Sequence, residues 1–147
     1  AGQGRAYLAL QQFLRKCLYL AASRIQDLCL RLLLPNSLVQ QVWGCVKVVL
    51  DQSRSLLTNR HLDQIIMCSV YGVCKVNQRQ VTFRHIIEQY KRQPSASPKV
   101  FREVCMLTKD DEPQDIIKFY NQIFIPAMKD QLLLVCNGNA ANGGAGS

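Results

Sequence analysis

The sequence predicts an all-α fold, and three observations carry that prediction. Apolar residues recur at three- and four-residue steps along several long segments. Proline, asparagine and short polar clusters separate those segments. No stretch alternates apolar and polar residues convincingly in the period of two that a half-buried strand needs.

The first helix is expected from Tyr7 to Leu34, with a stripe of Leu10, Phe13, Leu14, Cys17, Leu18, Ala21, Ile25, Leu28, Cys29 and Leu32. Pro35-Asn36 ends it, and Ser37 is placed to cap a second helix carrying Leu38, Val42, Trp43, Val46, Val49 and Leu50. Thr58-Asn59 offers a third start, followed by Leu62, Ile65, Ile66, Ser69, Val70 and Val73 until Asn77-Gln78 breaks the pattern. Thr82 then precedes a fourth helix with Phe83, Ile86, Ile87 and Tyr90 on one face. The stretch 92–99 is a polar loop, and Pro98 opens a short helix bearing Val100, Phe101, Val104 and Cys105. After the charged loop "TKDDEP", a last helix is expected over 113–135 with Ile116, Phe119, Tyr120, Ile123, Phe124, Ala127, Met128 and Leu132 inward. Pro126 lies inside it and is expected to bend it, because proline removes a backbone donor. Five substantial helices and one short one make an all-α bundle over residues 5–136. Residues 137–147, poor in hydrophobes, are expected to be a disordered Gly/Ala/Asn-rich tail.

At 147 residues the chain is long enough for one core without metal or disulfide support. A net charge of +8 admits an acidic partner: nucleic acid, an anionic membrane or an acidic peptide. The basic residues form no run; they are spread through amphipathic segments as on a solvated surface. Seven cysteines, an odd number at no disulfide-framework spacing, suggest buried reduced thiols in a cytosolic or nuclear protein. No apolar run reaches the ~18 residues of a membrane span, and no signal-peptide pattern opens the chain. The first residue is not Met, as expected of a processed or excised fragment.

The stretch "HLDQIIMCSVYGVCKV", 61–76, concentrates the chemically distinctive groups. Its two cysteines are six apart and face different ways on a helix, and His61 lies about 10 Å along the axis from Cys68. No tight Cys or His pair of the zinc kind occurs, so no metal and no cofactor is expected. Nor is there a phosphate-binding glycine loop, a nucleophile elbow or a zinc-protease helix, so no enzyme is expected. A binding surface fits better. Tyr71 and Lys75, four apart, share a face turned from the stripe of Leu62, Ile66, Ser69 and Val73. Ile117, Tyr120 and Asn121 form a second patch, in which Asn121 can bond both the C=O and the N–H of an extended strand. Tyr120 reads equally as a core residue, and Asn121 as merely solvated.

The segments "NRHLDQIIMCSVYGVCKV", "VTFRHIIEQYKRQP", "PKVFREV" and "DIIKFYNQIFIPAMK" resemble the B half of the pocket domain of the retinoblastoma family. The resemblance runs from about Tyr7 to about Leu134 and is closest to the p107/p130-type and the plant or algal retinoblastoma-related members. It implies a cyclin-like five-helix fold with additional helices and no catalysis. It also implies a nuclear repressor of transcription acting in the cell cycle, and a groove for partners bearing L-x-C-x-E. Carried over, the groove comprises Tyr71, Lys75, Phe83, Arg84, Ile117, Tyr120 and Asn121, with Lys129 at its rim and Leu133 nearby. Thr82 and Arg84 stand where the retinoblastoma protein itself has lysines, and Pro126 is shared with some members. Implied partners are viral oncoproteins, chromatin-modifying corepressors, the A half of the pocket, and cell-cycle transcription factors at the A/B interface. No membrane is implied, and direct nucleic-acid binding is disfavoured. Ser97-Pro98 has the minimal form of a proline-directed phosphorylation site. The competing reading is a cyclin-fold module of the general-transcription-factor kind that binds DNA through its basic surface.

Overall fold

The computed structural model describes residues 2–145, with side chains to residue 138. Its helices are α1 (Gly2–Arg31), α2 (Asn36–Gln52), α3 (Leu62–Val76), α4 (Phe83–Tyr90), α5 (Pro98–Arg102), α6 (Ile116–Phe119) and α7 (Ile125–Ala145). A 3-10 turn, Arg54–Leu57, follows α2, and a π-helical turn, Tyr120–Phe124, joins α6 to α7. Among the described residues the one β feature is an isolated antiparallel bridge, Val104 to Gln114. The expected all-α class is the observed one.

Helix α3 is the centre, packing on α1, α2, α4, α5 and α7. Residues 63–70 and 72–74 are all buried, leaving Tyr71 and Lys75 as the open side of its second half. The sequence pattern suggested one stripe; the helix is instead covered nearly all round, as an interior helix must be when neighbours surround it. Gly72 lets α7 come close, since a Cβ there would stand 2.8 Å from Leu132 Cδ2.

Two polar residues enter this interior with their hydrogen bonds satisfied, as burial demands. Asp63, 2% exposed, accepts from Arg24 of α1 at 2.8 Å and from the Tyr90 hydroxyl of α4 at 3.0 Å. Gln64 donates to the Val100 carbonyl of α5 at 2.9 Å and accepts the His61 N–H at 3.0 Å. His61, not Thr58-Asn59, caps α3: its Nδ1 accepts the Asp63 N–H at 3.0 Å. Arg60, just before, donates to the carbonyls of Leu56, Cys105 and Met106 and stacks over Phe119, tying the 104–106 strip to the 3-10 turn.

Helices α1 and α3 end alike. The Leu34 N–H bonds Cys29 O with Leu33 left-handed (φ 57°), and the Arg79 N–H bonds Cys74 O with Gln78 left-handed (φ 59°). Glycine usually takes this position because a Cβ is strained there. Helix α2 begins at Asn36 after an extended Pro35 with no side-chain cap, so the expected Ser37 cap is not made. Thr82 does cap α4, accepting the His85 N–H at 3.1 Å, and Pro98 opens α5.

Burial on α1 begins at Ala21; Tyr7, Leu8, Leu10 and Phe13 of the expected stripe region are exposed, and Tyr19 is 79% exposed. A π-turn lies just ahead of Pro126, and 116–145 is a continuous helical run of changed pitch. That run continues through 137–145, where a disordered tail was expected; its last buried side chain among those described is Cys136.

Burial also governs the titrating groups. It pushes the Cys29 thiol up to about 12 and those of Cys45 and Cys74 up to about 11. Burial likewise raises Tyr90, next to the Asp63 carboxylate, and Tyr120, next to Tyr71.

Three outcomes follow from this packing. Asp63→Ala should destabilise the fold by about 3 kcal/mol by chemical denaturation, because it strands Arg24 and the Tyr90 hydroxyl together; a loss below about 1 kcal/mol would contradict the hub. Leu33→Gly should raise stability by about 1 kcal/mol, since the leucine side chain is exposed and its backbone strained. The raised thiols and phenols keep protons in the folded chain that the unfolded chain releases above 9.0 and 10.0. Their stabilisation is therefore complete below about pH 9 and lost as pH rises through the folded values. Calorimetry under reducing conditions should show a melting temperature that holds to about pH 8.5 and falls beyond about pH 9.5.

Candidate functional site

The open side of α3 faces a cleft of about 580 Å³. Its lining is Tyr71 and Lys75 from α3, the connecting loop 78–82, Phe83 and Arg84 from α4, and Ile117 from α6. The left-handed Gln78 is what turns the chain out of α3 and back along that opening.

Three rings from three elements meet here. Tyr71 stacks on Phe83 with centroids 4.3 Å apart and an interplanar angle of 27°. Tyr120 meets Tyr71 edge-on at 4.9 Å and Phe83 at 5.4 Å. Such pairs add about 0.5–1.5 kcal/mol each beyond area burial and fix ring orientation. Lys75 sits over the outer face of this group, its Nζ 5.8 Å from the Tyr71 centroid.

Tyr120 is only 6% exposed, and its hydroxyl lies 3.7 Å from where a Cβ of Gly72 would be. It is the floor under Tyr71 and Phe83 rather than an open wall. Ile117, one turn before, is 45% exposed and supplies the apolar surface on that side.

The electrostatics are one-sided. Lys75, Arg79 and Arg84 line the cleft and no carboxylate does. The N-terminus of α4 opens into it through Phe83 and Arg84, adding its partial positive charge. An extended chain with apolar side chains and a carboxylate matches both the rings and the sign of the charge.

Of the nine groove residues expected from the sequence, Tyr71, Lys75, Phe83, Arg84 and Ile117 line the cleft together and Tyr120 underlies it. Asn121 is exposed on the π-turn, four residues after Ile117. Lys129 and Leu133 are exposed further along α7 and are not part of the lining. Ser97 is half-buried ahead of α5, its hydroxyl making no capping bond. Sequence reasoning missed Gln78, Arg79, Gln80 and Val81, which line the cleft. Asn77-Gln78 was legible as a helix stop, but not the left-handed turn that folds the following residues back.

Cys68 and Cys74 of the same helix are buried thiols, and burial pushes both well up from the ordinary value. A thiolate is what nucleophilic attack or metal ligation needs. Among the described residues no group of three or more His, Cys, Asp or Glu is arranged to hold a metal ion. No described helix is long and apolar enough to cross a membrane.

The family profile described as retinoblastoma-associated protein B domain matches residues 9–129. Retinoblastoma-related protein 3 of maize (Zea mays) is 41% identical over 96% of this chain and 15% of its own length. The retinoblastoma-related protein of coconut (Cocos nucifera) is 41% identical over 90% of the chain and 14% of its own. Retinoblastoma-related protein 1 of wheat (Triticum aestivum) is 38% identical over 96% of the chain and 16% of its own. The chain thus spans about 15% of the length of the curated relatives it matches. The rings, the basic lining and the cyclin-like all-helical packing belong to a chain that is a member of the retinoblastoma family, matching its B domain over nearly all of the folded part.

Proposed function

We propose that this chain is a non-catalytic docking module that holds extended L-x-C-x-E peptides across the cleft, within a nuclear regulator of transcription and the cell cycle. The observation that carries the reading is the stacked Tyr71–Phe83–Tyr120 group beside a lining with three cations and no anion. In an extended peptide alternate side chains face one way. Leu and Cys would rest on Ile117, Phe83 and the ring group. Tyr71, Lys75 and Asn121 would hold the peptide backbone. The Glu would sit at the start of α4, where main-chain N–H groups and Arg84 offer positive charge. The basic rim, with Lys129 and Leu133 beyond it, raises the encounter rate with acidic partners more than the final affinity.

Partners of this class include viral oncoproteins and chromatin-modifying corepressors. The exposed apolar turns of α1, together with the cleft they share with α2 at Leu14, Leu18 and Val48, would receive the A half of the pocket. Cell-cycle transcription factors would then bind where the halves meet. Ser97 is the residue a proline-directed kinase would modify, its hydroxyl being uncommitted.

Titration with a labelled L-x-C-x-E peptide tests the reading. Tyr71→Ala and Asn121→Ala should each weaken binding by more than about 1 kcal/mol, the scale of an interface hot spot. Unchanged affinity in both variants removes the site. DNA binding that weakens steeply with salt and ignores Asn121→Ala would favour the nucleic-acid alternative.

A further inference from the structure

Residue 121 carries a second hydrogen-bonding group besides its side-chain amide. In an α-helix the Asn121 carbonyl would accept the Ile125 N–H. Here the Ile125 N–H goes one residue further back, to the Tyr120 carbonyl, as a π-turn requires. The next donor in that pattern would be residue 126, which is a proline and has no N–H. The Asn121 carbonyl is therefore left without its α-helical or its π-helical donor. No loop N–H or side chain among the described residues supplies one. It belongs to an exposed residue one turn beyond Ile117, which lines the cleft.

We propose that this carbonyl is a reading group for the docked peptide: it accepts a main-chain N–H of the extended partner segment while the Asn121 side chain engages an adjacent backbone group. Pro126 is then a positioning residue for recognition: an N–H at 126 would meet the Asn121 carbonyl in the π-helical pitch that Ile125 follows, or the Gln122 carbonyl in the α-helical pitch, and proline supplies neither. The inference rests on the peptide-docking reading and adds a residue to it. An extended strand suits the arrangement, since its unpaired edge presents N–H and C=O groups in turn. A neutral hydrogen bond of this kind, exchanged against water, changes affinity by about fivefold.

The test combines Pro126→Ala, which restores an N–H at that position, with a set of L-x-C-x-E peptides in which each backbone amide is replaced in turn by an ester. Among the ester positions that weaken binding to the wild-type chain, one should do so about fivefold through the Asn121 carbonyl. On Pro126→Ala that ester alone should lose its effect. Pro126→Ala should also bind the all-amide peptide about three- to fivefold more weakly, with a melting temperature unchanged or raised, since alanine favours helix over proline. An ester profile identical on the two proteins, or full affinity in Pro126→Ala, overturns this proposal and leaves the docking reading standing. No binding of the all-amide peptide by the wild-type chain overturns both.

Discussion

Asp63 stands in the first turn of α3 and accepts hydrogen bonds from Arg24 of α1 and Tyr90 of α4, so three helices are referenced to one buried carboxylate. A charge in that position is tolerable only while both partners hold it. Its neighbour Gln64 does the same for α5 and for the cap at His61. Together they fix the height and rotation of α3 within the bundle. Apolar packing alone leaves such parameters loosely defined, because dispersion contacts have no preferred direction.

The cleft is a consequence of that placement. Neighbouring elements cover every residue of 63–70 and 72–74, and the remaining aperture falls at Tyr71 and Lys75. Gln78, held left-handed, returns the chain along the aperture, and Thr82 caps α4 so that the helix begins at the cleft. On the opposite side the π-turn adds a residue to the last helical run beside Ile117 and Tyr120. Such turns commonly accompany functional sites because they re-aim side chains and release backbone groups. Gly72 completes the arrangement by letting Leu132 and Tyr120 close against α3 from beneath. The base of the cleft is thus interlocked aromatic surface, and its rim is exposed cationic side chain, a division suited to holding a short extended segment.

What the sequence revealed divides along physical lines. The inward faces of α2 and, apart from the exposed Ala127, of the last helical run, the start of α4 after Thr82, the Pro98 start and the Tyr71–Lys75 pair were legible, since each rests on local spacing or local helix punctuation. The full burial of α3 was not, because periodicity records a stripe but not how many neighbours a helix has. Asp63 did not stand out in the sequence, because an acid near a helix N-terminus is ordinary; only the fold brings Arg24 and Tyr90 to it. His61 escaped as a cap because serine, threonine, asparagine and aspartate lead at that position. Pro126 signalled an irregularity but not its form. Tyr120, open to two readings in sequence, sits beneath the rings. The exposed turns of α1 carry a stripe that nothing among the described residues covers, a pattern whose partner no local rule can name.

The central claim, that the opening beside α3 is where an extended acidic peptide is read, is tested most directly by backbone amide shifts of the isotope-labelled chain during titration with an L-x-C-x-E peptide. The account predicts saturable changes confined to Tyr71–Arg84 and Ile117–Ile125, with little change along Tyr7–Leu20 or around Ser97. Saturable changes centred on the α1–α2 face, with the Tyr71–Arg84 amides unmoved, would contradict it.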